Sequence, residues 1–87
     1  MTGAATFRNE ESDNYRAVVT VLDARWRIIE SHDRIQWVLQ RLAGTRWRGE
    51  RYHRTLPGLK SSVAALCPDQ TAIAALVAAR LPERGPS

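Results

Sequence analysis

Between residues 15 and 54, hydrophobic and polar residues follow patterns typical of strands. Residues 15–22 (YRAVVTVL) are rich in β-branched side chains, which favour a strand. Asp23 then interrupts the apolar residues, and their phase changes after it, which indicates a tight turn or a bulge. A turn is the simpler explanation, so the pattern predicts a hairpin of strands over 15–22 and 25–30.

The next two segments predict two further strands. Alternate apolar residues between positions 35 and 39 have a period of two, which predicts a third strand over 34–42. A short Ala-Gly-Thr turn separates it from 46–54 (RWRGERYHR), which we interpret as a fourth, very basic strand. Gly49 in the middle of this segment indicates a bulge or a close approach of another part of the chain.

After the fourth strand the spacing changes to that of helices. Apolar residues recur at intervals of three and four, at Leu56, Leu59, Val63 and Leu66. Thr55 can cap this helix at its N-terminus, and Pro68 must end it, which predicts a helix over 56–67. Asp69 can cap a second helix over 70–81.

These elements predict an α+β domain: an antiparallel meander of three or four strands followed by two C-terminal helices. The domain should span 15–81, with a flexible N-terminal arm over 1–14 and a frayed tail over 82–87. The helices should cover one face of the sheet and leave the other to solvent or a partner. One tryptophan falls in each of the last three strands, and we expect these three rings on a shared face.

Size and composition limit the function. The chain has 87 residues, 44% of them hydrophobic and 25% charged, with one cysteine. It therefore predicts a single domain with a thin core and no disulfide framework. No apolar run approaches the roughly 20 residues of a membrane span, and the first residues do not resemble a signal peptide. We expect a cytoplasmic protein that does not contact membranes.

Catalytic and metal-binding patterns are missing from the sequence. Cys67 and several serines are candidate nucleophiles, and His32 and His53 are candidate bases, but they form no known catalytic motif. Cys67 should lie on the apolar side of its helix as an inert thiol. The ligand types for zinc are scattered and do not have the spacing of a four-ligand site. We therefore expect no enzyme activity, no catalytic residue, no cofactor and no metal.

The positive charge is concentrated in one part of the chain. The formal net charge is +4, and residues 41–60 alone carry a net +5. Strict alternation in the fourth strand would place Arg46, Arg48 and Tyr52 on one side and Trp47, Arg51 and His53 on the other. The predicted binding surface comprises Arg46, Trp47, Arg48, Arg51, Tyr52, Arg54 and Lys60.

Three interpretations of this surface stay open at this point. Guanidinium groups beside aromatic rings suit phosphate contacts and base stacking, as in a small DNA- or RNA-binding module. The same residue types are enriched in the contact surfaces of protein complexes. The surface can also be a solvated edge strand that its charges keep from aggregating. Separately, the Ala-rich face of the second helix could pair with a copy of itself, which would give a homodimer.

Part of the chain resembles a known class of DNA-binding domain. Residues 26–67 have the order strand–strand–strand–helix, with an aromatic residue in each strand and "WRGERYHRT" before the helix. This resembles AP2-like and integrase arm-type domains, over about half the chain; the first strand and second helix are outside the pattern. The resemblance implies that Arg46, Trp47, Arg48 and Arg51 contact the major groove.

The segments "YRAVVTVLDARWRIIE", "IQWVLQR" and "YHRT" carry a second resemblance, over the whole chain. It is similar to short uncharacterised proteins of alphaproteobacterial genomes and their phages, a size class that includes anti-CRISPR inhibitors. This resemblance implies a non-enzymatic phage or mobile-element inhibitor that docks on a host protein complex, such as a CRISPR effector. DNA-mimicking inhibitors of that class are acidic and this chain is basic, so it would instead cap an acidic or aromatic protein surface or disturb nucleic-acid contacts.

Overall fold

The computed structural model describes residues 10–67 and 69–85. Four strands form one antiparallel sheet in the order β1-β2-β3-β4. The strands are β1 (Val18–Val21), β2 (Trp26–Glu30), β3 (Trp37–Ala43) and β4 (Arg46–His53). Two helices follow, α1 (Leu56–Leu66) and α2 (Gln70–Ala78). The predicted α+β fold, a meander followed by two C-terminal helices, is therefore confirmed.

The turns and caps form at the predicted residues. The Asp23 carboxylate accepts hydrogen bonds from the backbone N–H of Arg25 at 2.7 Å and of Trp26 at 2.9 Å, which fixes the β1–β2 turn. The Thr55 hydroxyl accepts from Gly58 N–H at the start of α1, and the Asp69 carboxylate accepts from Thr71 N–H at the start of α2. These side chains satisfy N–H groups that the helices leave unpaired.

Three elements are shorter than predicted by three residues at one end. The third strand begins at Trp37 and not at residue 34, because the chain bends at residues 34 and 35. The chain makes a turn at residues 16 and 17, so β1 begins at Val18 and not at residue 15. Helix α2 ends at Ala78, and Arg80 has a φ of 53°. This left-handed conformation cannot continue a helix, which explains why the predicted end at residue 81 was wrong.

The two helices cover one face of the sheet, which we call the helix side. Ile28 and Leu39 from the sheet pack there against Leu59 and Val63 of α1 and Leu76 of α2, all buried. Each such side chain contributes roughly 1.5–3 kcal/mol through burial. Within the described residues, no helix is both long and apolar enough to cross a membrane.

The chain itself covers much of the other face, which we call the strap side. Tyr15 packs there with Ile29 and Val38, and residues 10–14 (the N-terminal strap) lie across the sheet beside them. The expectation that this face is left to solvent or a partner is therefore wrong. The strap belongs to the segment predicted as a flexible arm; residues 1–9 of that segment lie outside the described residues.

The C-terminal segment also pairs with the domain. Leu56 N–H donates to the Glu83 carbonyl at 2.7 Å, and Gly85 N–H donates to the Arg54 carbonyl at 2.6 Å. Thr55 and Arg84 form an antiparallel bridge between these bonds. Residues 83–85 are thus attached to the segment that joins β4 to α1, whereas 86–87, the rest of the predicted frayed tail, lie outside the described residues.

Candidate binding surface

A bulge in β4 decides which side chains share a face. Leu42 pairs with Trp47, and Gln40 pairs with Gly49. The next residue of β3, Leu39, pairs with Arg51, so Glu50 of β4 has no partner in β3. The extra residue, Glu50, shifts the alternation by one position. The bulge that Gly49 indicated is therefore present, and it changes the faces that strict alternation predicts.

The bulge brings the arginines of β4 together on the helix side. Arg48 pairs with Arg41, and Arg51 pairs with Leu39, whose side chain faces the helices. Trp47, Gly49 and Tyr52 lie on the strap side. The predicted grouping of Arg46 and Arg48 with Tyr52, and of Trp47 with Arg51 and His53, is wrong because it ignored the extra residue.

Gly49 permits the close approach of a neighbouring ring. Tyr52 lies over it, and a Cβ atom added to Gly49 would overlap the Tyr52 hydroxyl and come within 3.2 Å of a Val38 methyl group. The tyrosine is 55% exposed and therefore accessible. It faces the strap side, however, away from Arg48 and Arg51.

Four exposed cations form what we call the basic surface: Arg48, Arg51, Arg54 and Lys60. Arg51 donates to the backbone carbonyl of Glu50 at 2.7 Å. The side chains of the other three have no hydrogen bond or ion pair with the described residues. Their charge is therefore available to a partner.

Other cations in the basic stretch are already paired. Arg46 contacts the Glu11 carboxylate of the strap at 3.0 Å, and Arg41 contacts Glu50 at 3.3 Å. Exposed pairs of this kind contribute only about 0–1 kcal/mol to stability. They matter for binding because each carboxylate neutralises the charge of its arginine. Arg46 is thus a weaker candidate for binding than the sequence indicates.

Trp47 is not accessible. It is only 5% exposed, and its indole N–H donates to the Asp13 carboxylate of the strap at 3.1 Å. Trp26 and Trp37 lie on the helix side, so the expectation of three tryptophans on a shared face is wrong. The groove contacts that the AP2-like resemblance implies also do not share one face, because Trp47 is separated from Arg48 and Arg51 by the sheet.

A buried polar cluster beneath the strap was missed from the sequence. Arg27 and Gln40 are 2% and 1% exposed, and the Arg27 Nε donates to the Gln40 Oε1 at 2.6 Å. Burial lowers the pKa of Arg27, and the nearby Asp13 carboxylate opposes this. The signal was available: Arg27 alternates in phase with Ile29, and Gln40 with Val38, so both belong to a partly apolar face.

The candidate catalytic groups are held in structural positions. Burial raises the pKa of the Cys67 thiol to about 11, which keeps it protonated at neutral pH. His53 shares a hydrogen bond of 2.6 Å with the Ser62 hydroxyl, but its Nδ1 has no carboxylate partner among the described residues. In that part of the chain, no three His, Cys, Asp or Glu side chains are grouped so that they could hold a metal ion.

Comparisons of the chain with protein-family models, with curated proteins and with solved structures gave no match.

Proposed function

We propose that this chain is a non-enzymatic binding protein that docks on an acidic surface of a protein complex through the basic surface. The observation that carries the proposal is the exposure of Arg48, Arg54 and Lys60 with no anionic partner among the described residues. Uncompensated cations attract carboxylates, and arginine binds a carboxylate through two parallel hydrogen bonds.

The position of the aromatic rings favours a protein partner over nucleic acid. Base stacking needs an exposed ring beside the cations. Trp47 is buried, and Tyr52 lies on the opposite side of the sheet from Arg48 and Arg51. Guanidinium groups also bind phosphates without base stacking, so a DNA- or RNA-binding module is the second candidate.

The proposed partner class follows from the second resemblance. It is a host protein complex such as a CRISPR effector, with the chain acting in the cytoplasm as an inhibitor of phage or mobile-element origin. Pairing of α2 with a second copy of the chain is compatible with this role, since Val77 of that helix is 59% exposed.

The experiment is a retention assay with immobilised full-length chain and a panel of purified CRISPR effector complexes. We expect at least one complex to be retained in ~150 mM salt, where electrostatic attraction still acts within about 8 Å. Failure to retain any complex would remove the proposed partner class.

A parallel measurement uses fluorescence anisotropy with generic duplex and single-stranded DNA. We expect no saturable binding at ~50 mM salt. Tight DNA binding that falls with a log–log salt slope of about −0.9 per phosphate contacted would favour the second candidate instead.

A further inference from the structure

A small pocket lies where three separate segments of the chain meet. Ile35 from the loop before β3, Arg54 after β4, and Arg84 and Gly85 from the C-terminal segment line it. Its volume is about 240 Å³. Only Arg54 of the basic surface lines this pocket. The other lining residues lie outside positions 41–60, so the positive charge of that stretch does not indicate the pocket.

Backbone pairing holds the segment that contains Arg54 against the segment that contains Arg84. The bond from Gly85 N–H to the Arg54 carbonyl is 2.6 Å long, and the adjacent residues Thr55 and Arg84 form the bridge. A Cβ atom on Gly85 would lie 3.1 Å from the Arg54 carbonyl oxygen, which is closer than ordinary van der Waals contact. Glycine at this position therefore allows the close pairing through which Arg54 and Arg84 both line the pocket.

The positive charge in the pocket has no anionic partner among the described residues. Arg54 and Arg84 are both exposed, and neither side chain forms a hydrogen bond or ion pair with the described residues. The four residues that line the pocket include no carboxylate. Two positive charges at one site repel each other. An anion bound by both arginines would offset this repulsion through its attraction to each of them.

The charge balance indicates which anion fits. A carboxylate brings one negative charge, whereas a phosphate monoester carries about −1.5 to −2 at pH 7 and three strong acceptor oxygens. Guanidinium groups match phosphate oxygens through paired hydrogen bonds. The second anionic charge and the additional oxygen therefore favour phosphate over carboxylate for two arginines.

The remaining wall of the pocket is apolar. Ile35 is 37% exposed and can cover the organic part of a ligand. The volume is below the ~300–1,000 Å³ of pockets that hold drug-sized ligands, so the ligand must be small. We infer that this pocket binds the phosphate monoester group of a small organic phosphate, with Arg54 and Arg84 on its oxygens and its organic group on Ile35.

The test is a titration of the ¹⁵N-labelled full-length chain, followed by NMR at pH 7.5 and constant ionic strength. The probes are inorganic phosphate, phenyl phosphate and acetate. We expect saturable shifts of the Gly85 and Ile35 amides, with phenyl phosphate binding tighter than phosphate and acetate several-fold weaker than either.

Variants locate the site. Arg84→Gln and Arg54→Gln should each weaken phosphate binding about tenfold or more, because each removes charge-assisted hydrogen bonds. Arg25→Gln, at an exposed arginine in the β1–β2 turn, is the matched control and should leave the affinity unchanged. Preserved dispersion of the amide spectrum shows that each variant is folded.

Several outcomes would overturn the inference. Shifts that rise linearly without saturation, or an affinity that Arg84→Gln leaves unchanged, would show that the pocket is not the site. Acetate binding as tight as phosphate would contradict the ligand class, and equal affinities for phosphate and phenyl phosphate would contradict the role of Ile35. The double variant R48E/R51E, which removes docking under the proposed function, should still bind phosphate, so the two proposals fail independently.

Discussion

The guanidinium carbon of Arg27 lies 4.4 Å from the centroid of the Trp47 ring, between the sheet and the N-terminal strap. Arg27 comes from β2 and Trp47 from β4, and both side chains are buried. The same guanidinium donates to the backbone carbonyls of Ser12 at 2.8 Å and Glu10 at 3.0 Å. This stacked pair therefore attaches the strap to the sheet.

Replacing Arg27 by Met should strongly destabilise the fold. The substitution keeps an apolar side chain but leaves the Ser12 carbonyl and the side-chain oxygen of Gln40 without their donor. It also removes one of the two donors to the Glu10 carbonyl, which keeps the bond from the Gln40 amide. We expect the free energy of unfolding in urea to fall by about 2–4 kcal/mol, as for lost hydrogen bonds to a charged group. Arg25→Met, at an exposed arginine, should stay within about 0.5 kcal/mol. Equal stability of the two variants would contradict the role given to Arg27.

Trp47 should couple energetically to the strap. Trp47→Phe keeps a ring under the strap but loses the indole bond to Asp13, which should cost about 0.5–1.5 kcal/mol. Trp47→Ala should cost about 3–5 kcal/mol, since it also leaves a cavity. In a double-mutant cycle, Asp13→Ala should cost less in the Trp47→Phe background than in the wild type. Strict additivity in urea unfolding would show that the indole bond contributes nothing.

The elements of this fold could be predicted from the sequence because their signals are local. Thr55 and Asp69 cap helices through atoms two or three residues away, and the period of two marks the strands. The faces on which the side chains of β4 lie could not be predicted, because the extra residue Glu50 reverses the face of every later side chain in the strand. The strap was missed for another reason: residues 10–14 have no periodicity, and their bonds go to Arg27, Gln40 and Trp47, far along the chain.

This difference explains which candidate site residues are exposed in the structure and which are buried. Arg48, Arg51, Arg54 and Lys60 are exposed, as expected of long charged side chains. The position of Trp47 depended on tertiary contacts with the strap, which its neighbours in sequence do not indicate. The pairing of Arg54 with Gly85 across some thirty residues is equally invisible in local patterns.

His53 should make stability depend on pH in a defined window. Burial, and to a smaller degree Arg51, lowers the pKa of this imidazole below 6.5. As the pH falls through 6.5, this histidine binds a proton in the unfolded chain before it does so in the folded chain, which favours unfolding. The free energy of unfolding therefore declines from pH 6.5 down to the pKa of His53 in the folded chain, and below that pH His53 causes no further decline. Urea unfolding at several pH values should show this decline, and His53→Asn should flatten it. An NMR titration that places the pKa of His53 at or above 6.5 would contradict the prediction.

The decline due to His53 is separable from acid effects on the carboxylates. Hydrogen bonds from Ser31 and from the Thr71 backbone hold the pKa values of Asp33 and Asp69 below 3.8. Their contributions are present above that pH and are lost only below it. Measurements between pH 5 and 7.5 therefore report on His53 without interference from these two groups.

Cys67 should be chemically inert in the folded chain. Burial raises its pKa to about 11, and Asp23 adds a smaller effect in the same direction. At pH 8 very little thiolate is present, so reaction with a disulfide reagent should be much slower than for a free cysteine, whose pKa is about 8.5. The rate should rise to that of a free thiol in urea. Rapid modification without denaturant would show that the thiol is accessible.

Charge reversal on the basic surface tests the proposed function most directly. The double variant R48E/R51E reverses the charge of two exposed side chains on the helix side of β4. The control R25E/R80E makes the same change of charge at two exposed arginines outside the basic surface. The measurement is the dissociation constant of each double variant for a retained effector complex. We predict that the first weakens binding at least a hundredfold and the second less than tenfold; equal effects, or full binding by R48E/R51E, would contradict docking through this surface.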